Sequence, residues 1–169
     1  MKLNKLFITV GYSGLSPVAP GTAGSLVSLI PGVLILSTLG PQTLFMATLL
    51  IILIGIKEID RYEAVCKRHD DKQIVIDELA GMWLALSIAP GILTPFAELF
   101  EWENGMMIQI ILSFAFFRAY DIKKPSIIGR IDREAKGGIG VMGDDVLAGI
   151  AAGITTALIW QAVLALGIL

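Results

Sequence analysis

Two pairs of adjacent acids carry the strongest chemical signal in this chain, Asp77-Glu78 and Asp144-Asp145, and each is followed by a long run without charge. The residues after each pair also match: Asp-Glu-Leu-Ala-Gly at 77–81 and Asp-Val-Leu-Ala-Gly at 145–149. On a helix, an acid and a glycine four residues apart share a face. Small residues let helices approach closely in lipid, so two such faces would bring their carboxylates together. Converging carboxylates repel unless a cation or a proton joins them. Oxygen-only ligands suit Mg2+, which binds through a few carboxylates plus substrate phosphate and keeps several waters. Neighbours on a helix point about 100° apart, so one acid of each pair would ligate while the other caps or orients. The competing reading is helix capping, for which Asp is well suited. Capping accounts better for a single pair; two pairs entering a bilayer from one side favour a metal site. The expected metal ligands are Asp70, Asp77, Glu78, Asp144 and Asp145, and the last four are also the expected catalytic acids.

Residues suited to holding an anion lie in three other places. Residues 13–25 are polar, glycine-rich and uncharged, and Ser16, Thr22 and Ser25 would offer hydroxyls near a helix N-terminus. The same stretch also reads as a turn with an N-cap, and it matches no Walker pattern. Arg118, Asp121 and Lys124 recur every third residue, and Arg118–Asp121 reads equally as a simple i,i+3 bridge. Lys136 precedes glycines at 137, 138, 140 and 143, which together read as a pliable approach to the second acid pair. The lone histidine, His69, reads as loop polarity. The lone cysteine, Cys66, excludes an intrachain disulfide and a cysteine zinc cage, and the sixth residue after it is Lys72, not the arginine of a Cys-x5-Arg phosphatase loop.

The elements that must position these groups follow from composition. Of the 169 residues, 55% are hydrophobic and 17% charged, and the mean hydropathy is +0.77. A core this small cannot hide so much apolar surface, so a bilayer is the expected solvent. The net charge of −2 provides no basic footprint for nucleic acid. Charge is absent from residues 6–56, 79–97, 104–117 and 146–169. Five spans are expected, at about residues 25–39, 42–63, 77–97, 105–122 and 145–168, with the first short and interrupted by Pro31-Gly32. The fold class is therefore all-α: a polytopic membrane helix bundle of about five spans, forming a single domain over residues 1–169 with the N-terminus inside. Counting out along the spans puts all 13 basic residues on one side, which the positive-inside rule assigns to the cytoplasm. No secretory signal peptide is expected, because the segment after Lys2 and Lys5 lacks an A-x-A end. Trp83, Trp102 and Trp160 fall near span ends, where belt anchoring and ordinary packing compete. Nothing in the pattern specifies an oligomeric state.

Four blocks complete the reading. They are S-G-L-S-P-x-x-P-G-T-x-G-S at 13–25, I-V-x-D-E-x-x-G-M-W at 74–83, F-R-x-x-D-x-x-K-P at 117–125 and D-R-x-x-K-G-G-x-G-x-M-x-D-D-x-x-A-G at 132–149. In order and together, they resemble the phosphatidylglycerophosphatase A family. The resemblance implies Mg2+-dependent hydrolysis of phosphatidylglycerophosphate, a phospholipid substrate, to phosphatidylglycerol and phosphate at the bacterial inner membrane. Its acids map to Asp70, Asp77, Glu78, Asp121, Asp132, Asp144 and Asp145, its hydroxyls to Ser16, Thr22 and Ser25, and its basic positions to Arg118, Lys124, Arg133 and Lys136. Ile76 stands where a tryptophan is common. The expected substrate contacts are Ser16, Thr22, Ser25, Arg118, Lys124 and Lys136, and the active site is expected to face the cytoplasm. The rival readings are a membrane transporter, which predicts acids near the bilayer midplane, or an ion-binding subunit with a cytosolic acidic site. A CDP-alcohol phosphotransferase would carry a D-G-x2-A-R spacing, which is absent.

Overall fold

The computed structural model describes residues 2–67, 71–89 and 105–167. Among these residues it is built of seven α-helices, with no strand: α1 (Lys2–Ile8), α2 (Pro20–Leu39), α3 (Pro41–Cys66), α4 (Ile76–Ile88), α5 (Met106–Lys123), α6 (Ile127–Glu134) and α7 (Gly137–Ala165). Three of them, α2, α3 and α7, are long and apolar enough to cross a membrane. The third and fourth expected spans correspond to α4 and α5, with 13 and 18 residues. Residues 90–104, which would complete the third, lie outside the described residues, as do Asp70 and Trp102.

The bundle is organised around α4. Ten of its 13 residues are buried, and it packs against α2, α3, α5 and α7. A helix apolar all round belongs at the centre of a bundle. The outer helices turn large apolar side chains outward, among them Ile30 and Leu34 of α2, Met46, Leu50 and Leu53 of α3, and Leu158 of α7. Such a surface suits lipid and not water.

Two helices start earlier than their charge patterns imply. Ala19 adopts a left-handed conformation, and Pro20 takes the first helical position, where its missing N–H costs nothing. Residues 20–25 are therefore helix and not loop, and α2 runs on through Pro31 for a full 20 residues. α7 starts at Gly137, which puts Asp144 and Asp145 about two turns inside it instead of at its mouth. The glycines before them serve packing. A side chain on Gly138 would strike the backbone of Ile56, and one on Gly140 the carbonyl of Ala135, 2.6 Å away. α7 has no cap of its own; Asp60 of α3 supplies one, its Oδ1 accepting from the Gly138 N–H at 2.6 Å.

Neither described tryptophan is a belt anchor. Trp83 is buried against Gly32 and donates its Nε1–H to the carbonyl of Ser28 at 2.8 Å. Trp160 is buried over Gly105. The expected gathering of charged segments at one end of the bundle holds. The Val75 N–H bonds the Ile8 carbonyl at 2.9 Å, Asp60 meets Gly138, and Lys124 meets Asp144 at 2.7 Å.

Candidate active site

The geometry of the site begins where α4 crosses α7. A methyl group on Gly149 would overlap the carbonyl of Gly81. One on Gly81 would collide with the Phe117 ring and come within 2.6 Å of the Asp145 carbonyl. The glycines of the two matching pentapeptides are thus in backbone contact, and the acids one turn away are brought to one level.

The acids that converge are Glu78 and Asp145, joined by Asp121 from α5. One carboxylate oxygen from each lies within 4.8 Å of the others. Glu78 and Asp145 are buried, at 7% and 3% exposure. Asp77, Asp132 and Asp144 line the same cleft of about 210 Å³, along with Gly21, Lys72 and Lys124. The partners in each sequence pair divide their work. The Asp77 carboxylate accepts from the Glu78 N–H at 2.9 Å, satisfying an amide in the uncapped first turn of α4. The Asp144 carboxylate accepts from Lys124 Nζ at 2.7 Å.

Arg118 pairs with Glu78 and, at 2.8 Å, with Asp121. Its Nη1 also donates to Ser25 Oγ at 3.2 Å, while the fully buried Ser25 hydroxyl donates to Glu78 Oε2 at 2.7 Å. Among the described residues, no lysine or arginine pairs with Asp145. Three clustered carboxylates face one guanidinium in a nearly dry place, so a cation or protons must balance the remainder. An all-oxygen donor set with that deficit fits a divalent cation such as Mg2+. Gly21 makes room for the Glu78 carboxylate, since a side chain there would overlap Glu78 Oε1. Lys124 sits at the rim, paired with both Asp132 and Asp144. Burial alone would lower its pKa, but the hydrogen bonds to Asp132 and Asp144 outweigh burial and raise it above the usual lysine value.

The expected hydroxyl cradle is not assembled. Ser25 lies behind Glu78 and bonds protein groups. The Ser16 hydroxyl donates to the Val18 carbonyl at 2.8 Å. Thr22 is half-buried in the first turn of α2 and does not line the cleft. Lys136 is exposed at the start of α7, also away from the cleft lining. Asp121 joins the cluster although the expected ligand set left it out. Its spacing from Arg118 reads as a bridge, and the bridge exists, yet the same carboxylate joins the cluster. The signal for it was the stripe Arg118–Asp121–Lys124 at the charged end of α5.

The family model described as Phosphatidylglycerophosphatase A matches residues 6–160. A Phosphatidylglycerophosphatase A of Haemophilus influenzae is 38% identical over 146 residues, covering 86% of this chain and 82% of the relative. One of Escherichia coli is 36% identical over 149 residues, covering 87% and 78%. A Bacteroides thetaiotaomicron protein named "Putative phosphatidylinositol-3-phosphatase" is 34% identical over 150 residues, covering 86% of each chain. No solved structure matches.

Proposed function

The chain belongs to the phosphatidylglycerophosphatase A family and is a phosphatidylglycerophosphate phosphatase; from that premise we propose that the acid-lined cleft is its active site, that it works with Mg2+, and that it faces the cytoplasm at the bacterial inner membrane. The observation that carries this reading is the cluster of Glu78, Asp121 and Asp145, gathered within 4.8 Å around a shared arginine.

In this reading Glu78, Asp121 and Asp145 hold the metal, with Asp77 and Asp144 beside them. Mg2+ held there would supply positive charge to offset that of the phosphoryl group and would favour ionisation of the attacking water. Arg118 holds Glu78 and Asp121 in position and offsets their charge. Ser25 is a positioning residue for that pair and not a phosphate ligand. Lys124 offers its ammonium to the incoming phosphomonoester while Asp132 and Asp144 keep it over the cleft. Asp77, half-buried on the cleft wall, takes the proton released as water attacks phosphorus and returns it to the glycerol oxygen as the phosphorus–oxygen ester bond breaks. The acyl chains stay in the bilayer, so only the headgroup has to enter. Burial at one end of the bundle, beside both charged segments, disfavours an ion path through the membrane centre.

The test is phosphate release from phosphatidylglycerophosphate by the purified protein in detergent, with Mg2+ and with EDTA. Phosphatidylinositol 3-phosphate serves as a second substrate, because one relative carries that name. Undiminished release in EDTA, or by Asp145→Asn, would remove the cleft from the reaction.

A further inference from the structure

A second cavity system lies on the other side of α4. Asp77 and Glu78 wall the acid cleft, whereas Ile76 and Leu79 of the same helix wall a groove of about 830 Å³ between α1 and α3. Its floor is apolar, built from Phe7 and Val10 after the start of the chain and from Ile51 and Ile54 of α3. Toward the charged end it passes into a cleft of about 460 Å³ reached by Lys5, Arg61 and Tyr62. Asn4, Glu58 and Arg61 line both, so the two adjoin at these residues and are treated together as one channel.

The channel changes from apolar to basic along the helix axis. α3 is long and apolar enough to cross a membrane, and Leu50 and Leu53 beside the groove are 58% and 62% exposed, a surface that suits lipid at that depth. The acid at the rim is already engaged. Glu58 accepts from Asn4 Nδ2 and pairs with Arg61. Arg61 uses Nη1 in that pair and keeps a side chain 73% exposed, and Lys5 adds a second cation. We propose that this channel is a binding site for one anionic phospholipid, with an acyl chain along Ile51 and Ile54 and the phosphodiester headgroup at Lys5 and Arg61. The occupant is distinct from the molecule being hydrolysed, because the first turn of α4 separates the two sites. The pair with Glu58 engages only Nη1 of the largely exposed Arg61, which leaves the rest of the guanidinium at the surface for a phosphate oxygen.

The experiment reads binding without turnover. The full-length protein in detergent is incubated with dioleoyl phosphatidylglycerol or dioleoyl phosphatidylethanolamine, and retained lipid is counted by native mass spectrometry. The expected result is one retained phosphatidylglycerol, favoured over the zwitterionic lipid by about fivefold, which is the worth of one basic group near an anionic headgroup. Arg61→Gln should abolish the preference, and Ile54→Trp should displace the lipid by filling the groove. Both variants should release phosphate from phosphatidylglycerophosphate at the wild-type rate, since neither residue lines the acid cleft. Equal retention of the two lipids by the wild type, or undiminished phosphatidylglycerol on both variants, would overturn the proposal. So would displacement of the lipid by millimolar inorganic phosphate, which would make the rim a phosphate site alone.

Discussion

Gly149 lies with its Cα hydrogen against the carbonyl of Gly81, so close that no other residue fits at that crossing of α4 and α7. In lipid, where neighbouring helices gain nothing from excluding water, such close contact is a main source of association. It also sets the separation of Glu78 and Asp145, one turn nearer the charged end of the bundle. Gly149→Ala should therefore act on chemistry as well as on stability. Overpacking at this site is expected to cost about 1–3 kcal/mol. The thermal midpoint in detergent should fall, and phosphate release should drop at least tenfold (about 1.4 kcal/mol) even well below that midpoint. Wild-type activity at a lowered midpoint would uncouple the crossing from the site.

Asp121→Asn separates the structure from the expectation based on sequence. If Asp121 only neutralised Arg118, its loss would leave the dependence on Mg2+ unchanged. As a member of the cluster, its loss should raise the Mg2+ concentration giving half-maximal activity about tenfold, as loss of a weaker ligand or its immediate support does. Asp145→Asn should do more, abolishing measurable release at any Mg2+ concentration. An activity titration with Mg2+ after EDTA stripping checks both.

Ser25→Ala removes a buried donor to Glu78 and an acceptor for Arg118. Hydrogen bonds to charged groups contribute about 1.5–3 kcal/mol, so kcat should fall by roughly ten- to a hundredfold. KM should change little, because the hydroxyl does not line the cleft. Ser25→Thr keeps the hydroxyl and should recover part of the rate. A large rise in KM for Ser25→Ala would restore the serine as a phosphate contact.

Lys124 has a native pKa above its unfolded value. Its ammonium therefore contributes stability fully below the unfolded pKa, about 10.4, and loses that contribution only as pH climbs through the still higher native value. Between about pH 6 and pH 9 its charge is constant. Lys124→Gln should depress activity by a constant factor across that range, leaving the shape of the pH–rate profile unchanged. A shifted alkaline limb in the variant would mean that Lys124 titrates during turnover.

Asp60→Ala removes the only side-chain cap described for α7. A lost N-cap is expected to cost about 1 kcal/mol, and the first turn of α7 should fray. Faster amide exchange at residues 137–141, with the exchange of α4 unchanged, is the expected signature.

Particular residues show what the sequence made legible. The matching pentapeptides announced a helix crossing, and Gly81 meets Gly149 there; the acid that joins Asp145 is Glu78, three residues before Gly81, and not Asp77 at the shared spacing of four. The grouping of charged segments at one end also followed from counting apolar runs. The starts of α2 and α7 did not. Glycines at 137–143 read as a loop by propensity, and only contact with Ile56, Ala135 and Asp60 makes them helical. The same gap hid the role of Ser25. A serine near a helix N-terminus reads as an anion contact until the position of Glu78, 53 residues away, is known. Asp121 was concealed by a true interaction, its bridge to Arg118, which accounted for it too early.

The carboxylates of the cluster come from α4, α5 and α7, which leave the ribosome in that order. A chain still being inserted into the bilayer, with α7 not yet docked, has neither Asp145 nor the far wall of the cleft. If the cleft is the active site, turnover requires α7 to be docked, because Asp145 and part of the cleft wall come from it.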